Sequence, residues 1–125
     1  MRLSLRFFAV LCLCLVIVGL LLLPIAGAHA ILLESSPALN GLAAGPEVPI
    51  KLRFNVRIDA MRSRLTLVGP DGSTQALEIA KEAAAETLTS QAKGLAPGQY
   101  RIRWQVLASD GHLTRGEIPF TVTKS

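Results

Sequence analysis

Between Gln99 and Val106 every second residue is apolar: Tyr100, Ile102, Trp104 and Val106 alternate with Gln99, Arg101, Arg103 and Gln105. A period of two sends one set of side chains into a core and the other into water, the mark of a half-buried strand. An α-helix, advancing about 100° per residue, would scatter the same apolar set around its circumference. The pattern recurs where Ile50, Leu52 and Phe54 alternate with Lys51, Arg53 and Asn55, and where Ile118, Phe120 and Val122 alternate with Pro119 and Thr121. Turn-forming residues separate these stretches: Asn40-Gly41, Gly69-Pro70-Asp71-Gly72, Ala96-Pro97-Gly98 and Asp110-Gly111. These signals predict seven strands, near residues 30–35, 48–54, 63–68, 74–79, 86–91, 99–107 and 117–123. Seven short strands in roughly a hundred residues define an all-β fold, a seven-stranded antiparallel Greek-key β-sandwich or barrel of immunoglobulin-like type. The Cys–Trp–Cys pattern of antibody domains is missing, so Trp104 must pack without a disulfide. Ala80 to Glu86 has helix-forming composition and is expected to be a connection with one helical turn.

The amino terminus follows a different rule. Arg2 and Arg6 form a short basic start, and no charged residue follows from Phe7 to Ala28. A basic start, an apolar run broken by Pro24 and the small residues Ala26-Gly27-Ala28 are the parts of a secretory signal. Cleavage after Ala28 divides the chain into a signal peptide, residues 1–28, and a mature domain, residues 29–125, with His29 as its first residue. A cut after Ala30 is the competing frame; Gly27 at the middle position of the first frame favours it over one with an imidazole there. The apolar run exceeds the roughly 7–15 residues usual in a signal. It approaches the roughly 20 that span a bilayer, so an uncleaved anchor is the alternative. Both cysteines, Cys12 and Cys14, fall in this segment, which leaves the mature chain without a disulfide or a thiolate metal site. Its 97 residues carry a net charge of +2, which gives no ground for nucleic-acid binding. Lys51, Arg53, Arg101 and Arg103 are read as a solvated outer strand face.

The chain has only two histidines, His29 and His112. If the strands run alternately up and down, the start of the first strand and the connection after the sixth, Ala108 to Gly116, share one pole. The stretch Asn55 to Met61 shares that pole too and offers Asn55 or Asp59 as neighbours. A histidine at a free amino terminus carries two nitrogen donors, its α-amine and its ring Nδ1, which can close a chelate ring on a metal. The α-amine has an ordinary pKa of about 7.7–8.0, so a metal displaces little proton affinity near neutral pH. His112 adds an imidazole and Asp110 a carboxylate oxygen, with Gly111 between them to let the turn bend. Three nitrogens and one oxygen suit the tetragonal preference of Cu(II), which also binds more tightly than Zn(II). The candidate metal site is therefore His29, Asp110 and His112, holding one Cu(II) ion per chain.

With those residues in view, the chain resembles the CopC family of periplasmic copper-binding proteins. The resemblance is carried by HAILLESSPALNG (His29 to Gly41), LRFNVRIDAMRSRLTLVGPDG (Leu52 to Gly72) and LAPGQYRIRWQVLASDGHLTRGEIPFTV (Leu95 to Val122). The last is the most specific, because it joins a Pro-Gly turn, an aromatic strand, Asp-Gly-His and a closing strand. The resemblance implies a small cupredoxin-related β-sandwich in which His29, Asp110 and His112 hold Cu(II). It also implies a monomeric periplasmic carrier or store for copper homeostasis and resistance, not inserted in the membrane after signal cleavage. Its implied partner is a multi-pass inner-membrane copper protein of the CopD type. Two departures stand out. Some members have a methionine-rich Cu(I) site, whereas the mature chain retains only Met61, so that site is expected to be absent. Many members carry Phe-Ser-Glu-Pro after the second strand, where this chain has Phe54-Asn55-Val56-Arg57 and no carboxylate.

Two other classes compete with a carrier that does no chemistry. One is a non-catalytic interaction module with incidental metal binding. The other is a histidine-brace copper oxygenase; no cluster of aromatics for gripping sugar supports it, and Asp110 as a fourth equatorial ligand would block the position that oxygen needs. Nucleophile elbows, Gly-rich phosphate loops and zinc-spacing motifs are absent from the sequence. Ser35, Ser36 and Ser109 lack a base arrangement beyond the proximity of His112 to Ser109. The chain is accordingly expected not to be an enzyme.

Overall fold

The computed structural model describes residues 2–21, 29–81 and 83–125. The cleavage frame at Ala26 to Ala28 lies outside the described residues. Before it, α1 (Arg2–Leu21) is a single helix of 20 residues, long and apolar enough to cross a membrane. Its side chains from Ser4 to Leu21 are all exposed. An isolated apolar helix at the amino terminus fits a signal peptide. The core cluster runs from Ala30 to Val122 and includes no residue of α1, so residues 29–125 carry a complete core of their own.

Eight strands follow: β1 (Leu32–Ser36), β2 (Gly41–Ala44), β3 (Val48–Phe54), β4 (Ile58–Val68), β5 (Thr74–Leu77), β6 (Thr87–Ala92), β7 (Gly98–Ala108) and β8 (Leu113–Thr123). They form two sheets, a three-stranded one in the order β1-β3-β6 and a five-stranded one in the order β2-β8-β7-β4-β5. The fold is a β-sandwich, as the alternation predicts, with eight strands in place of seven. The extra strand is β2. It pairs parallel with β8, Gly41 opposite Phe120 and Ala44 opposite Thr123, whereas β1 pairs antiparallel with β3. Both segments point away from the same pole. They are one strand broken in two, its first half in one sheet and its second half in the other. Asn40, in the left-handed region at φ 57°, makes the switch, and its N–H donates to Pro119 O at 2.7 Å. Asn tolerates that conformation better than other non-glycine residues.

Two boundaries also differ from expectation. β4 starts at Ile58 rather than near 63, because a bulge between Asp59 and Arg64 keeps its first half in the sheet. Asp59 organises the bulge: its Oδ1 accepts from the N–H groups of Met61 and Arg62. β8 starts at Leu113 rather than near 117, so the connection drawn as Ala108 to Gly116 shrinks to Ser109–His112. The residues described between Ala80 and Glu86 make turns rather than a helical one, and Glu82 lies outside the described set. Three alanines there have high helix propensity, but the segment is too short to offset the cost of nucleating a helix.

The inward faces interdigitate as the alternation requires. Leu52 and Leu88 of one sheet and Ile102, Val106 and Ile118 of the other have no exposed surface. Each such side chain contributes about 1.5–3 kcal/mol relative to an exposed one. Trp104 meets Phe54 of the opposite sheet edge-on, with ring centroids 5.3 Å apart. Its cross-strand partner on β8 is Gly116, and the indole packs against that glycine, where a Cβ would fall inside the ring's van der Waals envelope. The ring cannot retreat, because Phe54 backs it. Gly116→Ala is therefore expected to destabilise the domain by about 1–3 kcal/mol. The urea midpoint should fall with an unchanged m-value.

Candidate metal centre

One loop organises the pole where the two histidines lie. β3 ends at Phe54 and β4 begins at Ile58, so Asn55, Val56 and Arg57 bridge the two sheets. Asn55 grips the amino-terminal arm through both backbone groups of one residue: its Oδ1 accepts from the Ile31 N–H at 2.7 Å, and its own N–H donates to Ile31 O at 3.1 Å. Arg57 O accepts from the Ser109 N–H at 3.1 Å, which pins the β7–β8 turn to the same loop. Ala30, only 3% exposed, anchors the arm in the core and leaves His29 just outside it.

The turn itself is closed by two backbone bonds, Gly111 N–H to Ala108 O at 2.9 Å and Ala108 N–H to His112 O at 3.0 Å. Gly111 has φ 89°, a conformation that suits glycine. Asp110 folds back over the turn. Its Oδ1 accepts from the His112 N–H at 3.1 Å, and its Oδ2 lies 3.0 Å from His112 Nδ1. The His112 ring bond comes first among the causes that hold the Asp110 carboxyl below the usual carboxylate range, followed by the His112 N–H and by positive charge on His112 and His29.

The structure brings the three predicted residues together. The His29 and His112 rings are 5.2 Å apart, centroid to centroid, tilted by 50°. Asp110 is in direct contact with His112. Asp59, in contrast, is committed to the β4 bulge, and Asn55 to the arm. Among the described residues no three side chains of His, Cys, Asp or Glu make a ready cage. The donor set fits a metal in a more specific way. Asp110 Oδ2 and His112 Nδ1 face each other across the turn, so a metal entering between them could replace that hydrogen bond and take both atoms as donors. Each carboxylate oxygen keeps a second lone-pair site. The remaining donor, the α-amine of His29, is a backbone group that exists only if the chain is cut before it.

The role of Asn55 was not legible beforehand. Its position after an alternating strand marks it as a loop residue, but its partner, the Ile31 peptide, is defined only by the fold.

The chain is thus a small β-sandwich with a histidine pair at one pole, preceded by an apolar helix that fits a signal peptide. The CopC domain family matches residues 32–123, and the chain belongs to that family. Protein YobA of Escherichia coli (strain K12) is 30% identical over 105 residues, covering 82% of this chain and 85% of that protein. Copper resistance protein C of Pseudomonas syringae pv. tomato is 30% identical over 112 residues, covering 83% of this chain and 88% of that protein. The crystal structure of CopC from Methylosinus trichosporium OB3b superposes with a TM-score of 0.69 at 28% identity, covering 77% of this chain and 95% of that one.

The Asn55 clamp generates a test. Asn55→Ala removes one side-chain hydrogen bond, a net loss of about 0.5–1.5 kcal/mol. It should loosen the arm rather than unfold the sandwich. Amide exchange at Ile31 should accelerate by about tenfold while exchange in β7 is unchanged, as NMR would show.

Proposed function

We propose that this chain is a periplasmic Cu(II)-binding protein, made as a precursor with residues 1–28 as its signal peptide and residues 29–125 as its working domain. It acts in copper homeostasis and resistance as a carrier or store. One ion per chain is held by the α-amine and ring of His29, the ring of His112 and the carboxylate of Asp110. The observation that carries this reading is the 5.2 Å separation of the two rings, with Asp110 bonded to one of them. Two rings at that spacing can converge on a single ion with small rotations about their χ angles. Nitrogen and carboxylate donors around a partly exposed turn favour Cu(II) over Cu(I). The copper resistance protein among the relatives supports the choice of metal.

Exposure supports a carrier over an enzyme. The His112 side chain is 52% and Asp110 30% exposed, so an ion there is open to a partner rather than sealed in a substrate pocket. The proposed partner is a CopD-type inner-membrane copper protein that receives or supplies the ion, and the carrier itself works as a monomer.

Isothermal titration of the exported protein with Cu(II), after intact mass has fixed its first residue, tests the whole reading. One tight site is expected, with a d–d band and nitrogen hyperfine structure in the EPR spectrum. His112→Ala should weaken binding by at least about a hundredfold, in line with the loss of a primary ligand. One extra residue before His29 should weaken it comparably, because it converts the α-amine into a peptide nitrogen. Equal affinity with and without the extension would remove the amine from the ligand set.

A further inference from the structure

The outer face of the five-stranded sheet holds a basin of about 430 Å³ that the copper reading does not use. Strand register builds it. Arg64, Gln105 and Arg115 stand side by side on β4, β7 and β8, and Thr66, Arg103 and Glu117 form the next row. All six line the basin.

The arginines are partly held in place. Arg115 Nε donates to Gln105 Oε1 at 2.9 Å, and Arg103 Nε donates to Glu117 Oε1 at 2.9 Å. In both, Nε is used and the terminal NH₂ groups remain for another acceptor. Gln105 spends its oxygen on Arg115 and keeps its amide donors. Arg64 has no ion-pair partner among the described residues. The one acid, Glu117, is shared with Arg101 and Arg103, whose hydrogen bond and charges hold its carboxyl below the usual range. The basin therefore has an excess of donors and of positive charge, set for an oxyanion with several acceptor oxygens. Guanidinium groups match phosphate oxygens in this way.

Its shape narrows the source. The basin is a shallow depression on a flat sheet, not an enclosed pocket, and Leu113, 53% exposed, stands on the same outer face two residues before Arg115. Basic groups beside an exposed apolar side chain suit the surface of an anionic bilayer. We infer that this face docks on the phosphate headgroups of an anionic membrane through Arg64, Arg103 and Arg115, with Leu113 against the acyl boundary. The inference stands independently of the copper site.

Residues 29–125 are mixed with vesicles of phosphatidylglycerol in phosphatidylcholine, or of phosphatidylcholine alone, and bound protein is separated by flotation. Binding to the anionic vesicles alone is expected. The double variant Arg64→Gln/Arg115→Gln should lose about fivefold per arginine removed. Lys51→Gln/Lys93→Gln, with the same net charge and substitutions elsewhere on the surface, should bind as the parent does. All four residues are exposed, so both variants should keep the parent's circular dichroism. Equal loss in the two double variants would mean that net charge alone attracts the protein, and would overturn the site. Inorganic phosphate shifting the Gln105 side-chain amide resonances without any flotation would overturn the assignment to a bilayer.

Discussion

The ladder between β7 and β8 runs unbroken from Gly98 opposite Val122 to Leu107 opposite Leu113, and the features that matter are mounted on it. Its tip is the turn with Asp110 and His112. Its inner face carries Trp104 over Gly116, which fixes the distance between the sheets at that level. Its outer face carries Arg103, Gln105 and Arg115. Because side chains alternate strictly along a strand, a slip of one residue in this register would exchange inner and outer sets. It would bury the arginines and expose Trp104. The register is consequently set by burial on one side and charge on the other.

The ladder alone does not make a metal site. His29 is more than eighty residues from Asp110 and His112 in sequence, on an arm that precedes the first strand. Chain ends fray unless tied down. Here the tie is the loop Asn55–Arg57, which holds the arm through the Ile31 peptide and the turn through the Arg57 carbonyl. Both halves of the site are thus referenced to one piece of backbone, and the two rings stay near each other without a bond between them. This is the sense in which Asn55 serves the site without facing it.

Much of this was legible in the sequence for physical reasons that also explain what was not. Strands with one wet face announce themselves by alternation, and β3 and β7 were placed to within a residue or so. β2 was invisible because Gly41-Leu42-Ala43-Ala44 has no polar partner set to alternate with, and it lies at a sheet edge where burial is partial. Strand parity nevertheless sets the two histidines at one pole, and their rings lie 5.2 Å apart. The missed strand continues β1 in the same direction, so it changes the count without changing the alternation. His29, Asp110 and His112 could be singled out because histidine is scarce here and each sits at a chain end or a turn. The Asn55 clamp, the Asp59 bulge and the arginine basin depend on which strands are neighbours and in what register, and no local pattern encodes that.

The basin and the turn lie close together along the same strands. The row Arg64, Gln105, Arg115 lies one outward-facing step from the pair Leu107 and Leu113, about 7 Å along the strand. Leu113 is the residue next to His112. A sheet face seated on headgroups through that row would therefore set the turn with Asp110 and His112 at the edge of the bilayer rather than away from it. On the proposed function, an ion held there by partly exposed ligands would be presented close to the bilayer surface. The inferred docking face spans β4, β7 and β8, and two of those three strands meet at the turn that carries Asp110 and His112.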